Sequence, residues 1–140
     1  MSPVARAFSV TAALLLALAT IVGALNAHAL SGRLGPDAER IVQTAVQYQF
    51  YHALGLFGVA LLLGRQPATQ APGMRLLQTA GWLLTLGIVL FSGSLYALAG
   101  GVAGSLRSAV GLLTPLGGLS LILAWCAVAA GVARSAVGVI

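Results

Sequence analysis

The side chains of this chain that could do chemistry are histidines, tyrosines, serines and a threonine. His28 and His52 are the only histidines, and imidazole is the side chain best suited to exchanging protons near neutral pH. With the polar residues near them in the predicted fold they form one candidate cluster, whose members are Asn26, His28, Tyr48, Tyr51, His52, Ser92, Ser94, Tyr96 and Thr114. Such a cluster could fix helix register, bind a polar group or relay protons.

Metal binding and nucleophilic catalysis are poorly supported by these residue types. Two imidazoles need further ligands, and Cys126 is the only cysteine, so one chain offers no thiolate cage. Ser92 or Ser94 beside a histidine would lack an orienting carboxylate inside a membrane. We therefore expect no enzymatic activity, no cofactor and no metal site.

Composition places most of the chain in lipid. Hydrophobic residues make up 59% and charged residues only 6%, with a mean hydropathy of +1.01. A soluble domain of this composition would lack the polar atoms to cover its surface. The formal charge of +5 comes from scattered arginines, whereas nucleic-acid binding needs clustered bases. We therefore expect no nucleic-acid partner.

Single arginines separate four uncharged runs, and each exceeds the roughly 20 apolar residues that a spanning helix needs. Lipid offers the backbone no hydrogen-bond partners, and the runs are too long for barrel strands, so helices are favoured. The predicted helices are 7–30, 40–64, 76–99 and 109–133, in a single transmembrane domain covering 1–140. Short connections make the predicted fold an all-α, integral membrane four-helix bundle with up-down-up-down topology.

Proline and glycine indicate where these helices begin and end. Pro36, followed by two acidic residues, is a helix-start signature, so the second helix could begin there. The loop 65–75 is expected to be a compact turn, and Gly100–Gly101 to end the third helix. Pro115 is expected to bend or restart the fourth helix.

Alternating helix direction brings the polar cluster to one side of the membrane. The glutamines and tyrosines of the second helix are expected in the interface and the adjoining leaflet. A stripe of Thr44, Tyr48, His52 and Gly55 is expected to face inward, since these residues recur at helical spacing. Small residues, among them Gly93 and Gly117, are expected where helices approach closely.

Arginine placement favours cytoplasmic termini. Four arginines flank the side shared by both termini and three flank the other side, and basic residues are in excess in cytoplasmic loops. The first segment has a second interpretation, because Ala27-His28-Ala29 matches a signal-peptidase site. The apolar run before it exceeds a signal sequence's hydrophobic region, which favours a retained helix.

Four strings, GALNAHAL (23–30), YQFYHALGL (48–56), LFSGSLYAL (90–98) and LTPLGG (113–118), carry a family resemblance. The chain resembles the family known as domain of unknown function 423, the YgdD-like small inner-membrane proteins. The resemblance implies four spanning helices and residence in the cell (inner) membrane as a multi-pass protein. It implies no substrate, cofactor or catalytic residue.

Two functional interpretations remain. The leading one is a structural or interaction role, as a helix-packing or accessory subunit that could bind a lipid or a partner helix at the polar cluster. Its expected partners are membrane lipids and a partner membrane protein or further copies of the chain. The alternative is a small proton-linked transporter or conduit that uses His28, His52, Tyr48 and Tyr96.

Overall fold

The computed structural model describes residues 1–30, 32–65 and 72–136, which form four helices. These are α1 (Pro3–His28), α2 (Pro36–Arg65), α3 (Pro72–Ala99) and α4 (Gly104–Ala136). At about 1.5 Å per residue they are roughly 40 to 50 Å long, which exceeds the ~30 Å of a hydrocarbon core. All four are long and apolar enough to cross a membrane. The predicted all-α membrane architecture is confirmed.

The helices begin earlier than the charge pattern alone indicates, because capping residues set their first turns. Ser2 accepts a hydrogen bond from the Ala5 amide at 3.2 Å, so α1 begins at Pro3. As predicted from the two acids that follow it, Pro36 begins α2. The predicted turn at 65–75 falls mainly on residues 66–71, which lie outside the described residues.

Glycines form the connection between α3 and α4. Gly101 and Gly104 adopt positive φ angles of 89° and 64°, a conformation that side-chain-bearing residues rarely adopt. α3 therefore ends at Ala99, as predicted. The predicted restart at Pro115 is wrong, because α4 continues through it as one helix. A proline removes only one amide donor, which a membrane helix tolerates when its neighbouring turns stay intact.

Each helix packs chiefly on its neighbours in sequence. α2 and α3 lie at the centre, α1 packs on α2, and the most extensive contact joins α3 to α4. α3 and α4 run antiparallel, since Ser94 contacts Thr114 near one end and Gly73 lies beside Gly131 near the other. The up-down-up-down arrangement is therefore confirmed, with α1 contacting α3 around Phe8.

The bundle interior has an apolar half and a half that contains polar groups. The half near the chain termini holds a continuous apolar core: Ala5, Phe8, Ala12, Ala53, Leu56, Val59, Ala60, Leu63, Met74, Leu77, Leu84, Ile88, Leu121 and Ala124. Among the described residues, the buried polar side chains are Gln49, Ser92, Ser94 and Ser120. Gln49 and Ser120 lie near the midpoints of α2 and α4. The buried polar groups thus extend from the middle of the membrane towards one surface.

Glycine permits the close approach of α3 and α4. A Cβ atom on Gly117 would collide with the backbone nitrogen of Phe91, and one on Gly87 would lie 2.5 Å from a methyl group of Leu121. The expectation for Gly117 is therefore confirmed. The expectation for Gly93 is wrong, because a Cβ there meets open space. Small residues occur on lipid-facing surfaces as well as at contacts, so residue type alone does not separate them.

Replacing Gly117 with alanine is expected to destabilise the fold, because the added methyl group would force α3 and α4 apart. The cost of overpacking is about 1–3 kcal/mol. Gly111→Ala is the matched control on the same helix, since a Cβ at Gly111 meets nothing within 4 Å. There the better helix propensity of alanine should leave stability equal or higher. Thermal unfolding in one detergent measures both variants, and equal behaviour would contradict the account.

Candidate functional site

Gln49 is the centre of the polar part of the bundle. Its side chain is 1% exposed. Its Nε2 donates to the backbone carbonyl of Leu15 on α1 at 2.8 Å, and its Oε1 accepts from the Tyr96 hydroxyl on α3 at 2.7 Å. One amide therefore links three helices near the middle of the membrane, where water is absent and an unpaired amide is costly.

A second bond lies one helical turn from Gln49. The Ser92 hydroxyl on α3 donates to the Ala45 carbonyl on α2 at 2.9 Å. We call Gln49, Ser92, Tyr96 and the carbonyls of Leu15 and Ala45 the Gln49 network. The α2–α3 contact is therefore fixed by two hydrogen bonds on successive turns of α2, which sets both the separation and the register of the two helices.

Hydroxyl groups also join α3 to α4. Ser94 donates to the Phe91 carbonyl at 2.9 Å, and its Oγ lies 2.7 Å from Oγ1 of Thr114. Since Ser94 has a single proton, Thr114 is the donor in the second bond. Nearer the middle of the pair, Ser120 donates to the Leu83 carbonyl at 2.9 Å. These hydroxyls therefore act as helix-to-helix links.

Tyr48 and His52 lie beside the Gln49 network and do not enter it. The Tyr48 ring is 41% exposed and stacks on Phe91, with ring centroids 4.7 Å apart. Nδ1 of His52 donates to the Tyr48 carbonyl of its own helix at 2.6 Å, and its ring centroid lies 6.2 Å from that of Trp125. Among the described residues, this bond to α2 is the only hydrogen bond of His52.

The other three predicted cluster residues are separate from this network. His28 is exposed at the end of α1. Tyr51 is 55% exposed and accepts a bond from Gln47 at 2.8 Å. Asn26 lies between α1 and α2, where its Nδ2 is 3.4 Å from the Glu39 carbonyl. The structure therefore brings together Ser92 and Tyr96 with Gln49, and Ser94 with Thr114, but it does not place all nine residues in one cluster.

The inward stripe predicted for α2 is wrong at Tyr48, which is 41% exposed, and correct at Gly55, where a Cβ would lie 2.7 Å from the Trp125 ring of α4. The fully buried positions of α2 are Val42, Ala45, Gln49, Ala53, Leu56, Val59, Ala60 and Leu63. Gln49 was expected in the interface or the adjoining leaflet, yet it is buried at mid-helix. Its signal in the sequence is a single glutamine within an otherwise apolar stripe at helical spacing. Ser120 was also missed.

The arrangement offers little chemistry beyond hydrogen bonding. Among the described residues, no three of the types His, Cys, Asp and Glu lie close enough to hold a metal ion. Cys126 is exposed. The hydroxyls of Ser92 and Ser94 donate to backbone carbonyls and make no hydrogen bond to a histidine within the described part of the chain. Neither serine therefore has a base that would activate it.

Replacing Gln49 with leucine is expected to destabilise the bundle by about 1–3 kcal/mol, because the Tyr96 hydroxyl loses its acceptor and the Leu15 carbonyl loses its donor. Gln78→Leu on α3 is the control, since Gln78 is exposed, and its effect should stay within about 0.5 kcal/mol. Unfolding in mixed detergent micelles measures both variants. Equal losses of stability would show that Gln49 does not join the helices.

Comparison with known proteins places this fold in a family. The family model described as "Protein of unknown function (DUF423)" matches residues 22–118, a range that contains Gln49, Ser92, Ser94, Tyr96 and Thr114. The chain is 42% identical over 120 residues to the UPF0382 membrane protein YwdK of Bacillus subtilis, covering 86% of this chain and 90% of that protein.

Two further relatives agree with this match. The chain is 38% identical over 120 residues to a UPF0382 membrane protein of Staphylococcus haemolyticus, covering 86% and 89% of the two chains. It is 34% identical over 113 residues to the UPF0382 inner membrane protein YgdD of Escherichia coli, covering 81% and 79%. No solved structure matches the chain. The resemblance seen in the sequence is confirmed, and this multi-pass membrane protein belongs to the DUF423 family of proteins of unknown function.

Proposed function

We propose that this protein is a non-enzymatic structural or accessory subunit of the membrane, which acts through its packed helices and their membrane-embedded surface. One observation carries the proposal. The buried hydrogen-bonding side chains Gln49, Ser92, Ser94 and Ser120 are all bonded to another helix. A substrate site needs polar groups directed at the substrate, whereas these groups are already used to hold the helices together.

The distribution of buried polar groups argues against a proton path. Buried polar side chains among the described residues reach only to the midpoints of α2 and α4, at Gln49 and Ser120. Beyond them the core is formed by hydrophobic side chains. A proton-linked carrier needs ionisable or hydrogen-bonding groups across the whole membrane. The transporter alternative, which relies on His28, His52, Tyr48 and Tyr96, would therefore lack the second half of its path.

The contact surface for a partner consists of the membrane-embedded helix faces, because the connections between the helices are short. Only residues 29–35 and 100–103 separate the helices at the side away from the termini, which leaves little room for a soluble protein to bind. Large apolar side chains such as Leu14, Leu86 and Ile122 face outward, at 66%, 51% and 62% exposure. The proposed partners are therefore another membrane protein or a second copy of this chain.

Purified protein in sealed vesicles is expected to show no proton flux above that of protein-free vesicles when a pH gradient is imposed. His52→Phe is the informative variant, because it keeps an aromatic ring beside Trp125 and gives up only a bond to its own helix. It should therefore remain folded, with a melting temperature near that of the parent chain. A pH-gradient-driven flux that is present in the parent chain and lost in His52→Phe would overturn the proposal in favour of transport.

Native mass spectrometry of the chain released gently from its own membrane tests the accessory role directly. The proposal expects a complex with a second protein chain or with a further copy. Release solely as a single chain, in a detergent that preserves known complexes of the same membrane, would count against an accessory role.

A further inference from the structure

A polar pocket of about 520 Å³ lies between the end of α1 and the start of α2. Its walls include Gly23, Asn26, Glu39, Arg40, Gln43 and Val46. A Cβ atom on Gly23 would lie 3.3 Å from Val46, so glycine lets α1 and α2 approach closely at this wall of the pocket. Because both helices are longer than the hydrocarbon core, their ends lie at the level of the lipid headgroups.

The pocket presents acceptors that lack donors. Oδ1 of Asn26 is buried and, within the described part of the chain, has no hydrogen-bond partner. A buried acceptor is costly unless a water or a bound group supplies a donor. Glu39 lines the same pocket, and its Oε1 accepts from the Gly32 amide at 2.7 Å, which leaves the other carboxylate oxygen for a second donor. These two side chains are suited to a group that carries several N–H donors.

A cation lies at the rim of the same pocket. Nη2 of Arg40 is 3.1 Å from Oδ1 of Asp37, but the two side chains are 75% and 92% exposed. An exposed ion pair contributes little to stability, so the guanidinium can turn towards a phosphate, which it binds well. The positive end of the α2 dipole lies at Pro36, beside the pocket. The charged residues of the pocket lining are Glu39 and Arg40, one of each sign, which matches a zwitterionic headgroup better than a purely anionic one.

We propose that this pocket binds a phospholipid headgroup that carries a primary amine, as in phosphatidylethanolamine. The Asn26 amide, held by a long 3.4 Å bond from its Nδ2 to the Glu39 carbonyl, turns its Oδ1 towards the pocket when the lipid binds. The ammonium group then donates to this oxygen and to the Glu39 carboxylate, and Arg40 contacts the phosphate. A choline headgroup has no N–H donor for Asn26, and a glycerol headgroup has no positive charge for Glu39. A membrane lipid is the source, because the pocket lies at the membrane surface. The inference goes beyond the accessory role and does not depend on it.

Native mass spectrometry of the delipidated full-length chain tests this inference with equimolar phosphatidylethanolamine, phosphatidylcholine and phosphatidylglycerol of identical acyl chains. The expected result is about tenfold higher retention of phosphatidylethanolamine than of either competitor, the factor that corresponds to one charge-assisted hydrogen bond. Equal retention of the amine and choline lipids, or preference for phosphatidylglycerol, would overturn the proposal. Soluble glycerophosphoethanolamine that bound as tightly as the lipid would overturn the assignment to a membrane lipid.

Substitutions in the lining test whether the selectivity for phosphatidylethanolamine arises at this pocket. Asn26→Leu removes the buried acceptor, and Glu39→Gln removes the charge while keeping an oxygen for the Gly32 amide. Each should lower retention of phosphatidylethanolamine about tenfold. Arg33→Gln, an exposed loop position outside the pocket lining, is the control and should change nothing. If Asn26→Leu fails to fold, Glu39→Gln decides the question, and unchanged lipid selectivity in that variant refutes the proposal.

Discussion

A glutamine buried at the centre of a membrane helix must find its hydrogen bonds inside the protein, and the packing of α1, α2 and α3 is organised around this requirement. Lipid supplies neither donor nor acceptor. Gln49 has both a donating and an accepting end, and it meets a carbonyl of α1 and a hydroxyl of α3. Small rotations or shifts of any of the three helices would break one of these bonds. The Gln49 network therefore specifies their arrangement more sharply than apolar packing could.

The arrangement of α3 against α4 is specified mainly by close approach of their backbones. Gly87 and Gly117 allow the two backbones to approach until side chains and main chain interlock, and Ser94, Thr114 and Ser120 add hydrogen bonds along the contact. Polar bonds in membranes are individually modest because the separated helices also find partners. Close packing and hydrogen bonds together account for the extensive contact of this pair. Interior polar groups that serve packing in this way are poorly placed to serve a substrate as well.

Helix number and direction, and the approximate position of each membrane span, could be predicted from the sequence because they follow from strong, local constraints. Charged residues are too costly in hydrocarbon to appear within a span, so the arginines mark the boundaries, and Pro36 begins α2 where its missing amide costs nothing. Which side of α2 faces the bundle interior could not be predicted, because glutamine, tyrosine and histidine lie on several sides of this helix. Tyr48 and Tyr51 are amphipathic and can face lipid at the interface, whereas Gln49 cannot. The polarity of each side chain, taken without its neighbours, does not reveal that difference.

Residue type also fails to distinguish Gly93 from Gly117. Both are glycines within apolar helices, but Gly93 faces open space and Gly117 lies against the backbone of α3. Which glycine faces a neighbour depends on helix rotation, and rotation depends on contacts between residues far apart in the chain. The position of Asn26 was also predicted incorrectly. It was expected in a common cluster with Ser92 and Tyr96, but it lies in a separate pocket between the end of α1 and the start of α2.

The most direct test of the account is a double-mutant cycle in lipid bilayers between Gln49→Leu and Tyr96→Phe. If the two side chains form the interhelix bond described, the second replacement should cost less once the first is present, with a coupling energy of about 0.5–2 kcal/mol. Strictly additive losses of stability would contradict the account, because they would mean that Gln49 and Tyr96 do not depend on each other.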